Sequence, residues 1–274
     1  MGSSILGVFA HPDDESWILA GVAAKYRAIG IHTYLICATQ GEAGNCAEVY
    51  LAKKRALGEI RKKELQSACR VLGINRPTFL GVRDGKTDDW NIDITLGKIV
   101  AIIRKLRPTI IITWEPRGDT GHPDHVMISG LTNKAFHISG RKDIHPEQIK
   151  AGLTAYSALK LYYSAGVPRS LAQPILNSMK KEGVPNKDIN EIDRLLVDDD
   201  ELVTTVVDIS DFTELKLQAL SCHKTQIPPD GLFNKWPYNL VRRLLNMECF
   251  FLASPKTTPG PPFEVNLFAE ISSP

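Results

Sequence analysis

The 274-residue sequence predicts an α/β fold, with a mostly parallel sheet, helices on both faces and an elaborated C-terminal half. Three observations carry this prediction. Short apolar runs alternate with longer amphipathic stretches through the first half, as strands joined by helical crossovers do. Polar clusters follow directly after apolar runs, where an open parallel sheet keeps its working groups. No apolar run reaches the roughly 18 residues of a membrane span, so the 43% of apolar residues is available for a core.

The elements follow in order. Residues 5–10 read as a buried strand and residues 16–30 as the helix after it. Residues 33–38 give the second strand. Residues 47–73 read as a long helix ending at Gly73, the residue type that best tolerates the left-handed turn after a helix. Residues 77–81 form a short strand, and residues 95–106 a helix closed by Arg107-Pro108. The β-branched run Thr109-Ile110-Ile111-Ile112-Thr113-Trp114 gives the fourth strand, and residues 126–136 the next helix. The alternation is Rossmann-like. Beyond it, residues 160–163 and 203–209 read as strands, and residues 212–226 and 238–250 as helices. Residues 166–200 carry Pro168, Pro174, Pro185 and Asp198-Asp199-Asp200 and read as a variable excursion. We expect one domain over residues 1–274, with a core over 1–140 and an elaboration over 141–274.

Lys and Arg total 33 against 31 Asp and Glu, a net charge of +2. That balance argues against a strongly basic nucleic-acid binder and against an acidic disordered chain. Cys37, Cys46, Cys69, Cys222 and Cys249 are odd in number, scattered and free of CxxC spacing. They suggest neither a disulfide framework nor a zinc ribbon. The first residues lack the basic and apolar segments of a signal peptide. The expectation is a cytoplasmic protein without a membrane span or a nucleic-acid partner.

The first strand runs into His11-Pro12-Asp13-Asp14-Glu15, one imidazole and three carboxylates in five residues. A dinucleotide binder would carry GxGxxG there. Crowded carboxylates at a strand end are costly unless a cation neutralises them. The fourth strand ends at Trp114-Glu115-Pro116 and leads to Gly121-His122-Pro123-Asp124-His125. First and fourth strands can be neighbours at the switch point of a doubly wound sheet, so both clusters would face one crevice. Two imidazoles and a carboxylate with an open position make a hydrolytic zinc site. The same set also describes a non-haem iron centre. Iron oxygenases usually sit on β-sandwiches, so zinc hydrolysis leads here.

AHPDDE at residues 10–15, TQGEAG at 39–44 and GHPDH at 121–125 resemble the zinc-dependent de-N-acetylases of the LmbE-like/PIG-L family. Further similar stretches are Arg61-Lys62-Lys63-Glu64-Leu65, residues 80–85 (LGVRDG) and residues 219–226 (ALSCHKTQ). The likeness is close over about residues 5–140 and loose over 210–250. It implies a Rossmann-like hydrolase that removes the acetyl group from an N-acetylglucosamine-type sugar or glycoconjugate. The small-molecule partner is then an N-acetylated amino sugar. The cofactor is Zn2+, with Fe2+ as another divalent ion for the same set. By position, the family's metal ligands fall on His11, Asp14 and His125, and its general base on Asp13. His122 takes the place of the histidine that stabilises the oxyanion, and Asp124 that of the carboxylate orienting it. Thr120 stands where some members have a tyrosine. Members are often oligomeric, which raises a homo-oligomer, although no interface is legible in the sequence.

The residue chemistry supports these roles. Asp13 adjoins a ligand and can reach water there as base, then pass the proton to the departing amine. The metal and a protonated His122 can stabilise an oxyanion, and Asp124 two residues on would hold His122 charged. Leu57, Arg61, Glu64 and Ala68 share one helical stripe, apolar apart from the Arg–Glu pair. That pair is either a structural ion pair, or Arg61 reaches sugar hydroxyls or a phosphate beside the metal. Glu42 in the GEAG turn is expected in the site wall, so Arg61 and Glu42 are the substrate-binding candidates. Phe212, Leu215, Ala219 and His223 form another stripe, which makes His223 a core or supporting residue rather than a fourth ligand. Two rivals remain: a thiol-conjugate amidase of the same family, and a non-catalytic metal- or sugar-binding protein. A binding module needs ligands but no base, so Asp13 speaks against the latter.

Overall fold

A computed structural model of the protein describes residues 2–46, 56–119, 121–194, 196–198, 203–227 and 236–271. Its strands are β1 (Ser4–Phe9), β2 (His32–Cys37), β3 (Thr78–Phe79), β4 (Ile110–Thr113), β5 (Lys160–Ala165), β6 (Thr205–Asp208) and β7 (Met247–Ser254). They form one sheet in the order β3-β2-β1-β4-β5-β7-β6. Strands β1 to β5 are parallel, and β7 runs antiparallel to both of its neighbours. The fold class read from the sequence is therefore the one observed.

The sheet winds outward in both directions from β1. β2 and β3 lie on one side of it, β4 and β5 on the other. Right-handed crossovers then place the helices of the two halves on opposite faces. The helices between β1 and β3 are α1 (Asp14–Ile18), α2 (Ala20–Ala28) and α3 (Leu57–Leu72). Those of the other half are α4 (Ile92–Leu106), α5 (Pro123–Ile138) and the short α6 (Pro146–Lys150). α4 packs on α5, and α5 on β1 and β4. β1 and β4 pair directly, from Ile5 opposite Ile110 to Val8 opposite Thr113. Both are buried along their whole length, as interior parallel strands are. The expected crevice therefore opens where these two strands end side by side.

Local signals explain most boundaries. The Asn91 side chain accepts from the Ile94 N–H and starts α4, while Arg107 in a left-handed conformation ends it before Pro108. Gly73 at φ 68° ends α3 as expected. Other boundaries differ. The helix read over 16–30 begins at Asp14 and is interrupted at Leu19 (φ −121°, ψ −7°). Of the helix read over 47–73, residues 47–55 lie outside the described residues. α5 starts three residues early, because Pro123 is pre-set for a first helical turn.

The largest corrections fall in the second half. The 166–200 excursion contains α7 (Arg169–Lys181) and α8 (Asn186–Asp193). The helix read over 212–226 is α9 (Thr213–Cys222). The helix read over 238–250 stops as α10 (Tyr238–Leu244), and the chain turns at once into β7. β7 is an interior strand with apolar residues on both faces and a buried Glu248, so its sequence lacks a clean alternation and cannot be told from a buried helix by period. α7, α8 and α10 share a small core of their own around Leu176, Met179, Ile189 and Leu240. Among the described residues no helix is long and apolar enough to cross a membrane.

Candidate active site

The turn after β1 carries His11, Asp13, Asp14 and Glu15, and the start of α5 carries His122, Asp124 and His125. They meet in the crevice. His11 Nδ1 lies 3.1 Å from His125 Nε2. The Asp14 carboxylate lies 4.0 Å from His11 Nδ1 through Oδ2 and 3.7 Å from His125 Nε2 through Oδ1. A ring nitrogen of His122 also comes within 4.8 Å of ring nitrogens of His11 and His125.

Each of these groups is held through its other polar atom. Asp14 Oδ2 accepts the backbone N–H groups of Ala10 (3.0 Å) and His11 (2.9 Å) and the Trp114 indole N–H (3.0 Å). That load fixes the carboxylate and leaves Oδ1 toward His125. The His125 Nδ1 is 3.2 Å from the Gly118 carbonyl, which favours a proton there and a bare Nε2. The Trp114 ring stacks on His125 with centroids 4.1 Å apart. His11 turns its Nε2 to Asp84 Oδ1 at 3.0 Å and Asp124 Oδ2 at 3.2 Å. Burial alone would lower the His11 pKa, yet Asp124 and Asp84 lift it to about 10. The centre thus has a surplus of negative charge for which a cation is the natural partner.

The donor set fits a divalent metal on chemical grounds. Two imidazole nitrogens meet 3.1 Å apart with the Asp14 carboxylate beside them, one oxygen toward each, and the histidines' second nitrogens are tied to carboxylates and a carbonyl, as in zinc enzymes. A second grouping, His11 with Asp84 and Asp124, is also close enough for a cation. It uses the nitrogen of His11 that faces away from His125.

Asp13 sits apart from these donors. Its backbone has φ 120° and ψ −27°, a conformation costly for an L side chain. Its Oδ2 receives a hydrogen bond from Arg61 Nη2 at 3.2 Å. Burial raises its pKa to about 7 despite the opposing charge of Arg61. Arg61 also donates to the Pro12 carbonyl (2.7 Å) and the Gly41 carbonyl (3.0 Å) and is only 4% exposed.

Two expected relations are corrected, and Glu42 has partners of its own. The Arg61–Glu64 pair is replaced by separate partners: Glu64 instead accepts from the backbone N–H (2.9 Å) and hydroxyl (2.6 Å) of Thr225. The Asp124 carboxylate holds His11 rather than His122. Its Oδ2 also accepts the Gly85 N–H at 2.9 Å, and only its backbone N–H meets His122, donating to Nδ1 at 3.2 Å. Glu42 is exposed but occupied, accepting the backbone N–H groups of Asp84 (3.0 Å) and Gln40 (3.3 Å). It ties the GEAG turn to the loop carrying Asp84, and Asp84 Oδ2 returns the tie by accepting the Ala43 N–H at 2.9 Å. Thr120 lies outside the described residues.

Asp84, Trp114 and Glu15 carry no role in the sequence reading. Asp84 and Trp114 each follow an apolar run, so the rule that work is done at strand ends could have found them. His223 is a supporting residue, as its stripe indicated, bonded through Nε2 to Glu15 Oε1 at 2.9 Å.

Comparisons with known proteins find relatives of the chain. A family model described as GlcNAc-PI de-N-acetylase (PIG-L) matches residues 6–136. A 1D-myo-inositol 2-acetamido-2-deoxy-alpha-D-glucopyranoside deacetylase of Thermobifida fusca is 31% identical, covering 97% of this chain and 98% of its own. A mycothiol S-conjugate amidase of Streptomyces coelicolor is 29% identical over 97% of both chains. Among solved structures, an N,N'-diacetylchitobiose deacetylase from Pyrococcus horikoshii matches with a TM-score of 0.68 and 22% identity. That match covers 92% of this chain and 84% of the other, and shows a shared fold.

Proposed function

The chain belongs to the PIG-L family of GlcNAc-PI de-N-acetylases, and from that premise we propose that it is a metal-dependent amidohydrolase of N-acetylglucosamine-type glycoconjugates. The observation that carries the reading is the convergence of His11 Nδ1, His125 Nε2 and Asp14, each fixed through its other polar atom. These three would hold a divalent metal, zinc by donor type. Such an ion polarises an amide carbonyl and makes water a competent nucleophile near neutral pH.

The chain's own residues supply the rest. Asp13 accepts a proton from the water that attacks the acetamide carbon. It returns that proton to the nitrogen as the C–N bond breaks, leaving acetate and a free amine. His122 Nδ1 accepts from the Asp124 N–H, so its proton sits on Nε2, the nitrogen free to donate to the carbonyl oxygen as charge develops. Asp124 and Asp84 orient His11. Arg61 aims Asp13, and its buried guanidinium serves the substrate through that residue.

The test is a panel of N-acetylglucosamine conjugates, an inositol conjugate among them, scored for acetate and free amine. Activity should vanish with a chelator and return with Zn2+. Absence of acetate from every member by fully metallated protein would overturn the reading. The Streptomyces relative favours a second reading, in which the same site hydrolyses the amide of a thiol S-conjugate. Cleavage of that amide without acetate release from the panel would select it.

A further inference from the structure

The ALSCHKTQ stretch ends in a buried histidine that the chemistry above does not use. His223 is 0% exposed, and so is nearly all of its partner Glu15, at 1%. His223 Nε2 lies 2.9 Å from Glu15 Oε1 and 3.2 Å from the Ser16 hydroxyl. The other Glu15 oxygen, Oε2, accepts the backbone N–H of Asp13 at 3.0 Å. Asp13 is the residue with φ 120°. A backbone in such a region persists only where its surroundings over-determine it.

Two clamps do so here, from two elements. Arg61 on α3 takes the carboxylate of Asp13 and the carbonyl of Pro12. Glu15 takes the N–H of Asp13, and Glu15 is fixed in turn by His223 at the end of α9. The two clamps are joined, because Glu64 on α3 holds the N–H and hydroxyl of Thr225, two residues past His223.

We infer that His223 is a positioning residue for hydrolysis: by fixing Glu15 beneath the Asp13 peptide, it sets the direction of the Asp13 carboxylate. The inference rests on the reading of Asp13 as the proton-transfer group. Packing alone does not explain a histidine at this place. α9 is already anchored by Lys216, whose Nζ donates to the Trp17 carbonyl (2.7 Å) and to Glu248 (2.8 Å). Among the described residues His223 Nδ1 has no hydrogen-bond partner, a cost that an apolar residue of similar size would avoid. What the ring supplies is a donor to Glu15. Without it, Oε1 keeps the hydroxyl of the adjacent Ser16 but loses its tie to α9, so the carboxylate is no longer held in place and its grip on the Asp13 N–H loosens.

The experiment uses the full-length, metal-loaded enzyme and compares His223→Leu, His223→Gln, His223→Asn and Glu15→Ala. Misplacing a reacting group by about 1 Å costs on the order of 100-fold. His223→Leu should therefore lower kcat about 10- to 100-fold, with KM and metal stoichiometry unchanged. His223→Gln, whose amide reaches Glu15, should recover most of that loss, and the shorter His223→Asn should not. The double variant His223→Leu/Glu15→Ala should be no slower than Glu15→Ala alone, since both break one chain of contacts. Wild-type kcat in folded, metallated His223→Leu would overturn the inference. So would equal kcat for the Gln and Asn variants, which decides the matter if His223→Leu does not fold. Inactive wild type, or normal turnover by Asp13→Asn, would instead remove the reading of the site and this inference with it.

Discussion

Asp14 illustrates how much a single residue depends on what its second oxygen meets. Three N–H donors load Oδ2, one of them from Trp114. Trp114→Phe keeps the stacked ring over His125 but removes one donor. Metal affinity should fall about 10-fold or more, the usual effect of losing a group that orients a ligand, while turnover at saturating metal stays near wild type. Competition with a chelating dye measures this; unchanged affinity would show that two donors suffice. Asp13→Asn should do the opposite, keeping metal while turnover falls about 100-fold or more. Metal analysis beside kcat separates the two, and joint loss would mean that the adjacent aspartates are reversed. The sequence showed which residues would meet, since two motifs after two strands admit few arrangements. It did not show which oxygen or nitrogen faces the centre. The family resemblance and nearness in sequence both pair Asp124 with His122. In the folded chain Asp124 lies in the first turn of α5 with its carboxylate turned inward to His11, whereas His122 is the cap before that turn.

At the scale of elements, periodicity identified faces well and partners poorly. The α3 stripe is buried as expected, with Leu57, Arg61, Glu64 and Ala68 all inside. Its two charged members nevertheless bind different elements, because each finds backbone and side-chain groups that need a partner. The GEAG turn is shaped for Arg61. A Cβ at Gly41 would overlap the Arg61 guanidinium, and Gly41 has φ +69°. Gly41→Ala should therefore cost about 1–2 kcal/mol of stability from backbone strain alone. It should also push Arg61 from Asp13, lowering kcat with metal content intact. Denaturant unfolding and kcat on the same preparation test both parts; a variant with wild-type kcat would mean that Arg61 does not aim Asp13. β7 was illegible for a different reason. Residues 238–250 run without a glycine or proline to break a helical reading, and the antiparallel partners β5 and β6 make their second part a strand.

Over the whole molecule, the first half carries its topology in plain view, because short apolar runs alternate there with longer amphipathic stretches. The second half does not, because its elements are specified by contacts back to the first. Glu248 on β7 accepts the N–H groups of Gly21 (2.9 Å) and Val22 (2.8 Å) in α2. The Tyr26 hydroxyl meets Asn266 and Leu267. His223 and Thr225 complete Glu15 and Glu64. Leu217 of α9 packs against the small core of α7, α8 and α10, while α9 itself packs on α2 and α3. From these ties we predict that the chain folds as one unit and that its first 140 residues do not fold alone. A fragment ending at residue 140 would leave β4 as an edge strand, with Ile110, Ile111 and Ile112, all 0% exposed in the full chain, missing the cover of β5. An uncovered apolar edge of that kind pairs with other chains. Glu64 would lose the N–H and hydroxyl of Thr225 and either stay buried without them or open the crevice to water, and Glu15 would lose His223. The full chain should melt in a single cooperative transition by circular dichroism, and the fragment should aggregate or show none. A soluble fragment with a cooperative melt and metal affinity like that of the full chain would show that the C-terminal half is an addition to a self-sufficient core rather than part of its frame.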